Sequence, residues 1–194
     1  MAKSGMVNSA AKWGFFLGVI MSASRIFELT TIMSGDVSSY IMLSMEWIAS
    51  VILYFIIIVL ANRGKGYSFG EVFNFSVFTS VFAAVIVGAA SHIYIVEFIS
   101  GGYAEYISRS IAAMQSVISE AQTMAAAQGV DSSSIDETMK LYSKFAGDSG
   151  KMIKDVSMNR PTIFSSVFSM ASNYLISGAF FGCIAGIFVS KRKN

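Results

Sequence analysis

Arg25, Glu28, Glu46, His92 and Glu97 stand in stretches that are otherwise apolar. An ionised side chain inside a bilayer is costly, so such residues mark either an ion pair or a functional site. Arg25 and Glu28, three residues apart, can pair on one helix, and Arg25 can pair with Glu46 between helices. Those pairings describe a structural network in which Glu97 is simply wet. The functional alternative is a polar chamber in which the Arg25 guanidinium holds a carboxylate or phosphate. His92, the single histidine, could sense or relay a proton there, although a lone histidine in an apolar run also serves as a hydrogen-bonded packing residue. Asn173 is expected to join this network.

The elements that must position these residues follow from composition. Of 194 residues, 54% are hydrophobic and 13% charged, about half the charge of an ordinary soluble domain. The apolar residues fall in four blocks, at about 13–33, 41–61, 72–99 and 163–189. Each reaches the ~20 residues that carry a helix across ~30 Å of hydrocarbon. With no water to satisfy the backbone, such blocks must be helices, and they are too long and unbroken for barrel strands. The expected fold is an all-α membrane protein of four transmembrane helices. Residues 1–99 carry the first three spans, 100–160 an extracytoplasmic insertion, and 161–194 the last span with a basic tail.

The lysines and arginines orient the chain. Lys3 and Lys12 precede the first span, Arg63 and Lys65 lie in the second connection, and Lys191, Arg192 and Lys193 close the sequence. The first connection holds Asp36 and no base. Both termini and the second connection are therefore expected on the cytoplasmic side. Residues 100–160 then lie outside, although they carry Arg109, Lys140, Lys144, Lys151, Lys154 and Arg160; long translocated segments largely escape the charge rule. In this orientation the five ionisable residues fall in the outer half of the bilayer. A cleaved signal peptide ending near Ser22-Ala23-Ser24 is an alternative reading of the first block. The stripe Gly14, Gly18 and Ser22 favours a retained, packed span instead.

Within the insertion, Ile107, Ile111, Met114, Ile118, Ala121 and Ala125 recur at three and four residues, predicting an amphipathic helix over 103–128 that stops at Gly129. Ser134 and Glu137 suit a capping box, opening a second helix through Ile135, Met139, Tyr142 and Phe145 that Gly147 and Gly150 end. The two make a helical hairpin that caps the bundle, lies in the interface, or receives a partner. Pro161 suits the first turn of the last span.

Gly178, Gly182 and Gly186 repeat every fourth residue, the small-xxx-small spacing that lets helices approach closely. Ser76, Ser80, Ala84 and Gly88 form a similar stripe, as do Gly14 and Gly18 on the first span. These stripes serve packing within the chain or contact with a second membrane protein.

No Gly-x-Ser-x-Gly elbow, Walker loop, His-Glu-x-x-His or Cys-x-x-Cys motif is present, and Ser91 beside His92 does not share its helical face. One cysteine, Cys183, gives no disulfide framework. A formal charge of +2 and the lack of aromatic–basic motifs point away from nucleic acid. The expectation is a non-enzymatic protein without cofactor or metal, whose partners are the lipid bilayer and another membrane protein or a second copy. A small carrier or flippase-like protein for an anionic ligand is the alternative.

The chain resembles a bacterial family of uncharacterised four-pass membrane proteins defined by a domain of unknown function. The likeness rests on the Gly14/Gly18 first span, the short first connection, and Tyr67-Ser68-Phe69-Gly70-Glu71-Val72-Phe73 before the third span. A long polar segment ahead of a glycine-rich last span adds to it. The resemblance implies a four-helix fold in the bacterial inner membrane. By analogy alone it implies an accessory role in an envelope complex that handles lipid-linked glycans, and it brings no catalytic residues.

Overall fold

A computed structural model describes residues 2–34, 37–127, 140, 148 and 150–189, with side chains described from 5 to 34 and from 48 onward, 121, 125 and 126 excepted. The regular elements among them are all helical. They are α1 (Ala2–Ser34), α2 (Val37–Asn62), α3 (Phe69–Ile93) continued by a π-helical turn (Tyr94–Phe98), α4 (Gly102–Ala127) and α5 (Ile163–Val189). Residues 150–158 are also helical. Three segments are long and apolar enough to cross a membrane: Gly5–Ser34, Phe69–Phe98 and Ile163–Val189. The described side chains of α2 form a shorter apolar stretch, Ile48–Asn62.

The chain divides into two compact units: Met1–Phe27, Met45–Ile93 and Thr162–Asn194 in one, Glu28–Ser44 and Tyr94–Pro161 in the other. In the first unit the helices are drawn together by their smallest residues. A Cβ added at Gly14 would lie 2.5 Å from Phe82 Cβ and 2.7 Å from the Thr79 carbonyl oxygen; at Gly18 it would lie 3.1 Å from the Ala83 carbonyl oxygen. Advancing one turn on α1 advances one turn on α3, so these helices run parallel. Helix α5 runs antiparallel to α3, with Gly178 against Ser80, Gly182 against Ser76 and Phe73, and Gly186 against the Phe69 ring. Helix α2 runs antiparallel to α1: Ser24 and Ser50 share a 2.7 Å hydrogen bond, and Leu17 packs in one core cluster with Ile57 and Ile58. In a bilayer, where hydrocarbon is as apolar as leucine, burial would add little to such a bundle. Close van der Waals contact and interhelical hydrogen bonds hold it instead.

The ends of the helices follow capping chemistry. Asn62 ends α2, and Gly64 and Gly66 turn the chain at φ of 74° and 65°, conformations that cost a residue with a Cβ but not glycine. Ser68 and Glu71 then form a capping box: the Ser68 N–H and hydroxyl both donate to Glu71 Oε2 at 2.8 Å. Helix α3 accordingly starts at Phe69, a turn before the apolar run that announces it. At the start of α5, Thr162 caps by accepting from the Ser165 N–H. Pro161 therefore precedes the cap and is not in the first helical turn, as its ring alone had suggested.

In the second unit, Leu29, Ile95 and Ile99 form a small core covered by Tyr94, Tyr103 and Tyr106. Thr30 and Tyr94 share a 2.8 Å hydrogen bond, and Tyr94 stacks on Phe98 at 5.6 Å. Gly101 and Gly102, at φ of 89° and 58°, turn the chain into α4, which starts within a residue of the amphipathic helix expected over 103–128; its expected end at Gly129 lies outside the described residues. Met114, expected on its apolar face, is exposed. Of the expected second helix only residue 140 is described, and it is helical; Ser134, Glu137 and Gly147 lie outside the described residues. Gly150, expected as a stop, is itself helical, as are residue 148 and residues 151–158. Glycine weakens a helix by only about 1 kcal/mol and does not forbid one; the run ends where the Asn159 N–H reaches the Asp155 carbonyl.

Candidate functional site

The charged residues come first. Arg25 and Glu28 are each half-buried and each engaged rather than free. Arg25 belongs to the first unit and Glu28 to the second. The parallel register of Gly14 and Gly18 on α3, continued for two turns, sets Arg25 level with His92. His92 is half-buried, and its Nδ1 lies 3.2 Å from Ser166 Oγ on α5. That bond sits one turn beyond the contact between Gly88 and Val167, so it fastens the α3–α5 seam at its end. Glu97 is exposed in the second unit. The side chain of Glu46 lies outside the described residues. The sequence reading puts all five groups in one half of the bilayer, as ion pairs or as a chamber; Arg25 and His92 belong to the first unit and Glu28 and Glu97 to the second.

A second polar group lies where the sequence showed only a packing stripe. Tyr54, on α2, donates to Ser80 Oγ, which donates to the Ser76 carbonyl at 2.7 Å. Asn62 Nδ2 donates to the Ile58 carbonyl at 2.8 Å and to Ser76 Oγ at 3.2 Å. Ser76 Oγ in turn donates to the Val72 carbonyl at 2.8 Å. All of these groups are buried, and they lie along the α3 face that Gly178 and Gly182 cover. The glycines admit the serines, and the serines tie α2 to α3. Two substitutions separate a used hydroxyl from an unused one. Tyr54→Phe is expected to lower stability by about 1 kcal/mol, the net worth of one buried hydrogen bond. Thr79→Val is expected to cost nothing, because Thr79 Oγ1 is buried with no hydrogen-bond partner among the described residues. Thermal unfolding in detergent measures both.

The small-residue stripes are consumed inside the chain. Gly14, Gly18, Gly178, Gly182 and Gly186 are all buried, each against another helix of the same unit. What faces outward is the opposite side of α5. Ser165, Ser169, Asn173, Ile176, Phe180, Cys183 and Ile187 are all exposed and fall at three- and four-residue intervals, on one face of a helix. Ile176 and Phe180 are 67% and 61% exposed, as suits a face turned to lipid. Asn173 does not suit it. It stands about 15 Å from Ile163 on a helix about 40 Å long, so any ~30 Å hydrocarbon layer the helix crosses holds it about 5–15 Å inside one edge. Its side chain has no hydrogen-bond partner among the described residues, so it does not join the charged residues as expected. Serines on α5 can satisfy themselves: Ser165 donates to the Thr162 carbonyl and Ser172 to the Phe168 carbonyl, bonds a short hydroxyl makes within its own helix.

No curated protein and no solved structure matches the chain. A family model does, over residues 12–191, from within α1 to past the end of α5. The chain belongs to the family described as protein of unknown function, DUF4199.

Proposed function

We propose that this protein is a non-enzymatic interaction subunit of the membrane, and that the outward face of α5 receives a helix of a partner membrane protein. Asn173 carries the reading. An amide turned to hydrocarbon leaves two donors and an acceptor unsatisfied, a cost that a polar side chain from a neighbouring helix removes. Partner helices that offer a hydrogen-bonding side chain, including α5 of a second copy, suit this face because the asparagine amide both donates and accepts. The glycine stripes are already filled by the chain's own helices, so the partner's helix takes the opposite side of α5. The engagement of Arg25 and the His92–Ser166 bond fit ion pairing and packing better than an open anion chamber.

The reading includes α2 as a fourth span, supported by its antiparallel pairing with α1 and its hydrogen bonds to α3. It also includes cytoplasmic termini in a bacterial inner membrane, supported by the basic residues of the second connection and the tail. An accessory role in an envelope complex, including one that handles lipid-linked glycans, is the setting that this architecture suits. The test is co-purification in gentle detergent from native membranes, comparing wild type with Asn173→Leu. A stoichiometric partner or second copy that the substitution removes is the expected result. A protein that purifies alone in both forms overturns the proposal.

A further inference from the structure

At the other end of α1, away from Arg25, Lys12, Trp13 and Phe16 line a surface hollow of about 300 Å³. This is the lower end of the ~300–1,000 Å³ range of small-ligand sites. Its lining is ordered along the helix. Lys12, Trp13 and Phe16 share one face at three- and four-residue spacing with Ser9, which stands just outside the hollow, and Lys65, from the turn after α2, donates to Ser9 Oγ at 3.3 Å. The Lys65 ammonium therefore lies at the Ser9 end of the face, where Lys12 also stands. The Trp13 indole comes next, edge-on to the Phe16 ring at 6.1 Å. Phe16, 52% exposed, continues the apolar wall about one turn further into the span.

Lysine ammonium and indole N–H are donors without acceptor capacity, and Lys12 and Lys65 are both exposed. The ligand that complements them presents acceptors and negative charge at one end and hydrocarbon at the other. Tryptophan below a pair of lysines is also the order in which a bilayer presents phosphate, glycerol ester and acyl chain. A free phosphate would satisfy the lysines and leave the Trp13–Phe16 wall uncovered. We infer that this hollow binds a membrane phospholipid with an anionic headgroup, the phosphate held by Lys12 and Lys65 and the first stretch of an acyl chain lying along Trp13 and Phe16. This inference is independent of which helix α5 receives.

Trp13 itself reports occupancy, because Trp47 is the only other tryptophan. The Trp47→Phe protein is reconstituted in phosphatidylcholine bilayers that contain increasing fractions of either brominated phosphatidylglycerol or brominated phosphatidylcholine, and quenching of Trp13 is followed. Half-maximal quenching is expected at a roughly 25-fold lower fraction of the anionic lipid, with roughly a fivefold loss of that preference for each of Lys12→Gln and Lys65→Gln, the factor equivalent to ~1 kcal/mol per basic residue near the surface. Lys12→Arg, which keeps the charge, and Lys154→Gln, remote in sequence, are expected to retain it. Equal quenching by the two lipids, or a preference that survives loss of both lysines, overturns the inference. Displacement of the brominated anionic lipid by millimolar inorganic phosphate overturns the assignment to a lipid.

Discussion

Replacing Gly88 with leucine is expected to leave little folded protein, and even Gly88→Ala to destabilise it by about 1–3 kcal/mol. A Cβ at this position would stand 2.7 Å from Val167 Cα, 3.1 Å from Val167 N and 3.2 Å from the Ser166 carbonyl oxygen. All three are backbone atoms, so no rotamer relieves the clash and α5 must move as a body. Moving it also strains the His92–Ser166 bond one turn away. The same substitution elsewhere separates this effect from helix propensity. Gly70→Ala meets nothing within 4 Å and is expected to be neutral or to stabilise α3 by a few tenths of a kcal/mol, up to about 1. Gly186→Ala meets only the Phe69 ring, which can swing aside, and falls between the two. Thermal unfolding of the three alanine variants in one detergent is expected to rank them Gly70, Gly186, Gly88 from most to least stable.

Asn173→Leu is expected to act on association and to leave the isolated chain at least as stable as wild type. A polar side chain bonded across membrane helices contributes about 0.6–2 kcal/mol, which corresponds to a roughly 3- to 30-fold weaker complex. The isolated chain gains, because leucine removes an unsatisfied amide from hydrocarbon. Ser169→Leu, one turn away, is expected to weaken the complex less, since a serine hydroxyl has its own helix to bond to. Gly182→Leu is expected to behave in the opposite way to Asn173→Leu. It would unfold the protein through the close approach of Gly182 to Phe73 and Ser76, and any partner lost with it would be lost for that reason. The dissociation constant and the melting temperature of each variant, measured together, distinguish the two cases.

The apolar blocks gave helix existence and rough length, because a segment that satisfies its own backbone in hydrocarbon has one solution. The boundaries were harder to read. Helix α3 begins at Phe69 because Ser68 and Glu71 form a capping box, a Ser-x-x-Glu spacing that stands openly in the sequence. It went unread there because the apolar run begins only at Val72. The same spacing at Ser134 and Glu137 lies outside the described residues. Small-residue stripes were legible as close contacts but not as to whose, since Gly178 fits Ser80 of its own chain or a foreign helix by the same rule. The buried bonds of Tyr54 and Asn62 were invisible, because an interhelical hydrogen bond needs a register that spacing along one helix does not supply. The polarity of Asn173 alone suggests the charged network and does not say which side of α5 it takes. Helical phase relative to Gly178, Gly182 and Gly186 places it outward, and that phase was available from the sequence once the glycine face was taken as internal.

The most direct test of α5 as the contact helix is a photo-crosslinking amino acid introduced at Ile176, on the Asn173 face, in native membranes. The control is the same substitution at Ile56, which is exposed on α2. The account predicts a discrete adduct from position 176 that disappears when Asn173 is also leucine, and only lipid adducts from position 56. Equal protein adducts from both positions, or none from 176, would contradict it.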